Sequence, residues 1–171
     1  MVWHAARVRL ISSDGASVRL EISAYEFPER QADGPRDWDA NWLIVHGEVV
    51  LADGASWSFQ EPCLTTWDAE ELGSWLRKAA AAEIRPPQDD DDNGPMLVFL
   101  EPNLGFSLES RTAGQVRVRV HLSLESLPPW LQNAQDRPEL HAYYVALDVL
   151  AANLANAADG WLKDAHRYPA R

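Results

Sequence analysis

The residues most able to do chemistry form an acidic run in the middle of the chain: Asp89, Asp90, Asp91, Asp92, Asn93 and Gly94. The first, third, fifth and sixth of them match the same positions of a calcium-binding loop, in which carboxylate and amide oxygens surround the ion. That loop ends in a bidentate glutamate at its twelfth position, whereas this chain has Leu100 there, in a segment with the pattern of a strand. We therefore favour a solvated acidic loop and keep a calcium site as the alternative.

A cysteine nucleophile and a carboxylate pair are the other chemical candidates. A reactive cysteine usually lies at a helix N-terminus or beside cations, but Cys63 follows Glu61 and has no recognisable catalytic signature. Asp39 and Glu101 would form an acid/base pair only if the fold brings them together. A base for Cys63 would have to be one of five histidines, which lack the spacing of metal ligands: His4, His46, His121, His141 and His166. A hydrolase is thus the weaker hypothesis, and we predict no catalytic residues, cofactor or metal site.

The net charge restricts the binding partners. The formal charge is −11, and the run Asp89–Asp92 contributes −4 of it. Such a surface repels nucleic-acid phosphates and anionic membranes, and no segment has the length of a membrane span or the pattern of a signal peptide. The only cysteine, Cys63, cannot form an internal disulfide, which is typical of a reduced, cytoplasmic protein. We predict a cytoplasmic protein with a single domain, residues 1–171, that binds neither nucleic acid nor membranes directly.

Tryptophan is the other unusual component, with 8 residues. Trp38 and Trp130 lie in predicted loops, and Trp38 stands between Asp37 and Asp39. Loop aromatics can anchor a protein interface, although a ring folded back over the core is an equal alternative. Four others have the spacing of core residues: Trp42, Trp57, Trp75 and Trp161.

Alternating apolar and polar residues predict strands in the first part of the chain. The turn signals Asp14-Gly15 and Asp53-Gly54 each join two of these strands into a hairpin. The strands are predicted at residues 7–11, 18–22, 41–51 and 55–60. Residues 26–37, with two prolines and mixed charges, are predicted to form a long loop.

The apolar spacing then changes to that of a helix. Thr65 and Asp68 are predicted to form a capping box that begins this helix, and Pro86-Pro87 to end it. Four more strands are predicted at 96–101, 104–110, 115–125 and 139–147, followed by a closing helix capped by Asp148. Because the helices do not alternate with single strands, we predict an α+β fold with a mainly antiparallel sheet of about eight strands, sandwich-like or strongly curved, and two helices, one central and one C-terminal.

Several short motifs, read together in their order and spacing, resemble one family. The resemblance covers about residue 16 to the end of the chain, and each motif alone is short and structural in character. The motifs are Asp39-Ala40-Asn41-Trp42-Leu43, Gly54 followed by Trp57, Pro62-Cys63-Leu64-Thr65-Thr66-Trp67, Phe99-Leu100-Glu101-Pro102-Asn103-Leu104 followed by Phe106, and Pro128-Pro129-Trp130. This series resembles the WapI-type immunity proteins, small bacterial cytosolic proteins that protect a cell against contact-delivered WapA-type toxins.

The resemblance implies a stoichiometric inhibitor whose partner is a toxin domain, often one that cleaves RNA. Nucleases that grip RNA tend to be basic, and a charge of −11 would steer such a partner toward this chain. The resemblance assigns no contact residues, but the charge and expected exposure of the segment 83–95 point to it for partner specificity. We predict the following partner-binding residues: Asp89, Asp90, Asp91, Asp92, Asp37, Trp38, Asp39 and Trp130. A ligand- or calcium-binding domain and a hydrolase remain the alternatives.

Overall fold

The computed structural model describes residues 8–88 and 94–171 of the chain. Within these residues, eight strands form two four-stranded antiparallel sheets, each with its strands in chain order. The first sheet contains β1 Val8–Ile11, β2 Ser17–Tyr25, β3 Trp42–Val50 and β4 Ser56–Thr65. The second contains β5 Met96–Val98, β6 Leu104–Thr112, β7 Gln115–Leu122 and β8 Tyr144–Leu150. The helices are α1 Thr66–Ala80, α2 Pro129–Gln132 and α3 Ala151–Ala165. The predicted α+β class is confirmed, and the short α2 is an addition to it.

Both predicted hairpins of the first sheet are confirmed. Asp14 and Asp53 each accept a hydrogen bond from the N–H two residues later, at 3.0 and 2.9 Å. The glycines that follow them, Gly15 and Gly54, have φ angles of 92° and 89°. Only glycine adopts this left-handed backbone without steric cost. The turn chemistry therefore sets the pairing of β1 with β2 and of β3 with β4.

Strand β4 is longer than predicted and contains a bulge. It continues past Gln60 to Thr65, and its register against β3 shifts where Pro62 and Leu64 pair with successive residues of β3. Proline is tolerated because β4 is the edge strand of its sheet and needs no hydrogen bond from that position. A bulge bends a strand and changes the direction of nearby side chains. It lies next to Glu61, a residue of the candidate site described below.

Helix α1 begins as predicted. The Thr65 side chain accepts a hydrogen bond from the Asp68 N–H at 3.1 Å, and the Asp68 carboxylate accepts one from the Thr65 N–H at 2.8 Å. This reciprocal capping box satisfies two N–H groups that a helix start otherwise leaves unpaired. The helix ends at Ala80, well before Pro86. Its buried face contains Ala69, Leu72, Leu76 and Ala79.

The boundary between β8 and α3 differs from the prediction. Asp148 does not cap α3 but lies within β8, where its carboxylate accepts a hydrogen bond from Arg117 of β7 at 2.5 Å. The N-cap residue is Leu150, which makes no side-chain cap hydrogen bond. Inward-facing apolar residues alternate through this segment, so strand pairing prevails over the capping signal of Asp148. These residues are Val145, Leu147 and Val149.

The two long helices pack against each other. Gly73 of α1 lies so close to the Leu162 side chain of α3 that a Cβ at this position would clash. The indole N–H of the buried Trp161 donates a hydrogen bond to the Ala69 carbonyl across the same contact, at 2.7 Å. A buried indole needs such a partner. This contact fixes α3 against α1 within the core.

Hydrogen bonds link segments of the two sheets in two regions of the described chain. In one, the Asp148 N–H of β8 donates a hydrogen bond to the Ser12 hydroxyl, just after β1, at 3.0 Å. In the other, the Trp57 indole of β4 donates to the Ser126 carbonyl at 3.0 Å. Ser126 belongs to a 3-10 turn, Leu124–Ser126, that follows β7. The second region positions the candidate site.

Candidate functional site

An acidic cleft of about 320 Å³ lies where β4 approaches the loops of the second sheet. Its glutamates come from four separate segments of the chain. Glu26 follows β2, Glu61 lies in β4, Glu101 precedes β6, and Glu125 lies in the turn after β7. Three further residues complete its lining: Trp42, Pro62 and Asn103. We call this site the acidic cleft.

Backbone pairing and one buried amide hold the cleft in shape. The Glu26 N–H donates a hydrogen bond to the Trp42 carbonyl at 2.9 Å, which fixes Glu26 beside the start of β3. The side chain of Asn103 is buried, and its amide donates to the Glu125 carboxylate at 3.1 Å. The Asn103 carbonyl in turn accepts a hydrogen bond from the Ser123 N–H at 3.0 Å. The cleft is therefore built on sheet edges and anchored turns.

The surroundings of the cleft glutamates disfavour their ionised form. Partial burial raises the pKa of Glu26, and the nearby carboxylates of Asp39 and Glu101 raise it further. Burial also raises the pKa of Glu61, with an added contribution from Glu125. Among residues 8–88 and 94–171, no lysine, arginine or histidine forms an ion pair with any of the four cleft glutamates. A cation supplied from outside would relieve this repulsion.

The predicted partner-binding residues Asp37, Trp38 and Asp39 lie in the loop beside the cleft. The Asp37 carboxylate accepts hydrogen bonds from the Asp33 N–H and the Arg30 guanidinium, and these bonds lower the pKa of Asp37. The same bonds connect residues within the loop. Asp39 is exposed and contacts Arg30 at 3.5 Å. Its carboxylate also contributes to the raised pKa of Glu26. Asp37 therefore has a structural task, whereas Asp39 extends the acidic surface.

Trp38 and Trp130 are both about half-exposed, and each packs against another tryptophan. The Trp38 side chain is 46% exposed and packs edge-on against Trp67 at the start of α1, with ring centroids 5.4 Å apart. Trp130 is 52% exposed and packs edge-on against Trp57 at 5.5 Å. Gln132 ties α2, and with it Trp130, to the turn that contains Glu125, donating to the Glu125 carbonyl at 3.0 Å. Each ring is supported by the fold and still offers surface to a partner.

The core assignment of the other tryptophans is correct for three of four. Trp57 and Trp161 are buried as predicted, and the partly buried Trp75 packs against the core cluster. Trp42 is partly buried but is not part of the core cluster. Trp42 lines the acidic cleft instead of filling the core, because it lies at the start of β3, next to the cleft loops. Periodicity alone does not distinguish a strand end at a cleft from a strand centre.

The carboxylates proposed as an acid/base pair line different clefts. Glu101 lines the acidic cleft, whereas Asp39 lines a neighbouring one and contacts Arg30. Both raise the pKa of Glu26, a third carboxylate that the sequence reasoning did not select. Glu26 and Glu101 offer negative charge without an ion-pair partner among the described residues, which suits binding of a positively charged group.

Cys63 is a buried structural residue. Its side chain is completely buried in β4, within the core cluster. Burial, with a smaller contribution from Glu61, raises the pKa of the thiol well above its usual range. A thiol that stays protonated and inaccessible is a poor nucleophile. Cys63 therefore fills space in the core as a small apolar residue.

A serine–histidine contact that the sequence did not reveal is also structural. Ser107 Oγ lies 2.8 Å from His121 Nε2, and His121 Nδ1 donates to the His141 carbonyl at 2.7 Å. Ser107 is 1% exposed and His121 is 3% exposed, so no substrate reaches this pair. Burial lowers the pKa of His121 and favours the neutral ring that these two hydrogen bonds need. The pair satisfies buried polar groups in the second sheet.

The described part of the chain was searched for metal-binding clusters and for membrane-spanning helices. Within residues 8–88 and 94–171, no three His, Cys, Asp or Glu side chains are arranged to hold a metal ion. The calcium hypothesis concerns Asp89, Asp90, Asp91 and Asp92, which lie outside the described residues, as does their predicted part in partner binding. In the same described part of the chain, no helix is both long and apolar enough to cross a membrane.

Three of the four cleft glutamates were missed from sequence: Glu26, Glu61 and Glu125. One signal for part of the site was present, since Glu-Pro pairs occur at Glu61-Pro62 and Glu101-Pro102. Proline ends or bends regular pairing, so a glutamate before it lies where a strand edge opens. The signal is weak on its own, because it does not reveal that the two segments meet.

Comparison with models of protein families places the chain. The model of a family described as the immunity protein WapI-like family matches residues 9–169 of this chain. That span includes both sheets and all three helices except for the first residue of β1. Among curated proteins, none matches the sequence. The family match confirms the resemblance inferred from the ordered motifs, and it ends before Arg171.

Proposed function

The chain belongs to the WapI-like immunity protein family, and from this premise we propose that it binds a toxin domain with a basic surface and neutralises it by occupying that surface. Family membership implies a cognate toxin as partner and suggests a non-enzymatic role. The single observation that supports a basic partner is the acidic cleft. We further propose that the protein acts in the cytoplasm, on a toxin that cleaves RNA.

The electrostatic argument starts from the unpaired charge of the cleft. Ionising Glu26 and Glu61 costs free energy in the isolated protein, because burial and neighbouring carboxylates raise the pKa of both. A lysine or arginine of the partner would remove this cost on binding. An RNA-cleaving domain carries such cations to hold phosphates. The acidic cleft would then compete with RNA for the same groups.

Shape and aromatic surface support the same partner. A cleft of about 320 Å³ has room for one lysine or arginine side chain, whereas a stable interface buries about 800 Å² on each partner. The remaining area must come from surrounding loops. Trp38 and Trp130 are half-exposed there, and tryptophan is enriched among residues that dominate binding energy. The four aspartates Asp89–Asp92 are a further proposed contribution, through electrostatic steering.

The proposal predicts that a gene beside the one for this chain encodes the toxin, and the test measures binding to the C-terminal domain of that toxin. The variant E26Q/E61Q/E101Q removes three cleft charges and keeps the side-chain shapes. We expect its Kd to rise by about 100-fold, mainly through faster dissociation, because close charge pairs in an interface contribute strongly.

The matched control is E70Q/E71Q/D159N, which makes the same change in net charge at exposed positions outside the cleft. Remote charges alter steering, so we expect a change of about threefold or less, mainly in the association rate. An equal loss in both variants would refute a specific role for the cleft. No binding by the wild-type protein would refute the proposed function itself.

A further inference from the structure

One arginine side chain closes the loop that lies beside the acidic cleft. The Arg171 guanidinium donates hydrogen bonds to the carbonyls of Phe27 and Pro28, each at 3.0 Å, at one end of this loop. It donates two more to the Ala40 carbonyl at the other end, at 3.0 and 2.5 Å. The same group lies over the Tyr25 ring, 3.8 Å from its centroid. A single side chain thus ties together both ends of residues 27–40.

The backbone of the same residue is bound by a buried amide. The Arg171 N–H donates to Asn41 Oδ1, and Asn41 Nδ2 donates to the Arg171 carbonyl, both at 2.9 Å. Asn41 is completely buried. Its amide also donates to the Asp37 carbonyl at 2.8 Å and accepts from the Thr66 hydroxyl at 3.0 Å. Asn41 therefore connects residue 171, the loop and the start of α1.

The loop has little apolar packing of its own. Residues 29–36 are exposed, and Phe27 at its beginning is 46% exposed. Gly34 and Arg36 have positive φ angles of 106° and 133°, the second of which is costly for a residue with a side chain. Its internal organiser is the Asp37 carboxylate, which accepts from Arg30, Asp33 and Ala40. A loop of this kind needs an external tie to keep one conformation.

We propose that Arg171 is a positioning residue for partner binding, which it promotes by holding the loop that carries Trp38 and Asp39. The inference rests on the proposed function. The guanidinium is satisfied by carbonyl oxygens, and among the described residues it forms no ion pair. It therefore orders the loop without neutralising an acidic group that a basic partner needs. Arg171 lies outside the residues 9–169 that the family model matches.

The experiment compares R171A with R167A. Arg167 is an exposed residue of the same terminal segment, with an ion pair to Asp164, so both variants remove one positive charge. Electrostatics alone predicts that each variant binds a basic toxin domain as tightly as the wild type or slightly tighter. Positioning predicts the opposite for R171A, with a Kd for the neighbouring gene's toxin domain that rises about tenfold, because the loop must be ordered on binding.

Amide hydrogen exchange without any toxin provides a second measurement. We expect R171A to accelerate exchange at Asp33, Ala40 and Asn41, with unchanged exchange in α1 and α3 as evidence of an intact fold. R171K keeps the charge but cannot reach both ends of the loop with one planar group, so we expect an intermediate result in both measurements.

Each outcome decides the inference. Unchanged exchange in R171A, or a Kd equal to that of R167A, would overturn it. A wild-type protein that fails to bind would overturn the proposed function and with it a role in binding, while the exchange data would still report whether Arg171 orders the loop.

Discussion

The carboxylates of the second sheet and those of the acidic cleft are similarly accessible but have opposite electrostatic surroundings. Across β6, β7 and β8, Glu109 and Asp148 bracket two arginines, with Arg117 at 3.2 Å from Glu109 and 2.5 Å from Asp148, and Arg119 at 3.0 Å from Glu109. Partial burial raises the pKa of Glu109, but its bonds to Arg119 and Arg117 outweigh burial and lower it. We call these four residues the ion-pair network.

In the acidic cleft, the pKa values of Glu26 and Glu61 are instead raised by burial and by other carboxylates. The difference shows how one chain uses acidic residues in two ways. In the ion-pair network, negative charge is compensated within the fold and adds stability. In the cleft it is uncompensated, which lowers stability and leaves the charge available to an external cation.

The largest expected change in stability follows from removing Arg117, the central arginine of the ion-pair network. The variant R117A leaves Asp148 without its ion pair and Glu109 with only Arg119. We expect the free energy of unfolding to fall by about 1–2 kcal/mol, since these charged hydrogen bonds are only partly exposed. Urea denaturation of R117A and of the wild type measures this difference in unfolding free energy.

The control is R77A, which breaks an ion pair whose two side chains are 58% and 63% exposed. Exposed pairs contribute little, so we expect a change below about 0.5 kcal/mol. Equal effects in the two variants would contradict the distinction between the network and an ordinary surface pair.

The second prediction is that neutralising two glutamates on strands changes the stability of the protein in opposite directions. The variant E109Q removes a paired charge, so at pH 7 we expect it to destabilise the protein by about 1 kcal/mol. The variant E61Q removes an unpaired charge in the cleft, so we expect it to stabilise by about 0.5 kcal/mol. Thermal and urea unfolding of both variants test this comparison, and a loss of stability in E61Q would show that the cleft charge is compensated after all.

The smallest expected effect is the pH dependence of the difference between E61Q and the wild type. The folded-state pKa of Glu61 is raised, so its carboxyl favours folding when protonated and loses that advantage as pH rises from the unfolded pKa, about 4.3, through the folded one. E61Q should therefore match the wild type at low pH and exceed it in stability at pH 7.

Glu109 should behave in the opposite way. Its folded-state pKa is lowered, so its stabilisation is present above about pH 4.3 and is lost as pH falls through the folded value. Unfolding free energies at a series of pH values check both signs. If E61Q and E109Q both gained or both lost stability relative to the wild type as pH rises, the contrast between the acidic cleft and the ion-pair network would be contradicted.

Local signals explain why much of the fold was predictable. The capping box of Thr65 and Asp68 and the turns at Asp14 and Asp53 act within a few residues, so their chemistry can be recognised in the sequence alone. The prediction for Asp148 was wrong because two local signals competed there. A strand alternation that continued to Val149 prevailed over a good capping residue.

The acidic cleft was harder to predict from the sequence, because its residues come from distant parts of the chain. Glu26, Glu61, Glu101 and Glu125 meet only because a bulge in β4, two loops and a turn converge after both sheets have formed. Such proximity depends on strand register and sheet packing over long sequence distances. Trp38 and Trp130 were predicted in loops and both lie at the surface, although Trp130 belongs to the short helix α2. The turn signals around them act locally, which is why their exposure could be predicted.

The burial of Cys63 has a practical consequence for studies of this protein. It is the only cysteine in the chain, and it lies in β4 with no exposed surface. A maleimide reagent can therefore reach it only when that strand separates from the core, so its labelling rate reports the opening of the first sheet. A cysteine placed on the surface, beside the cleft for example, would carry a fluorophore with almost no competing reaction from the native residue.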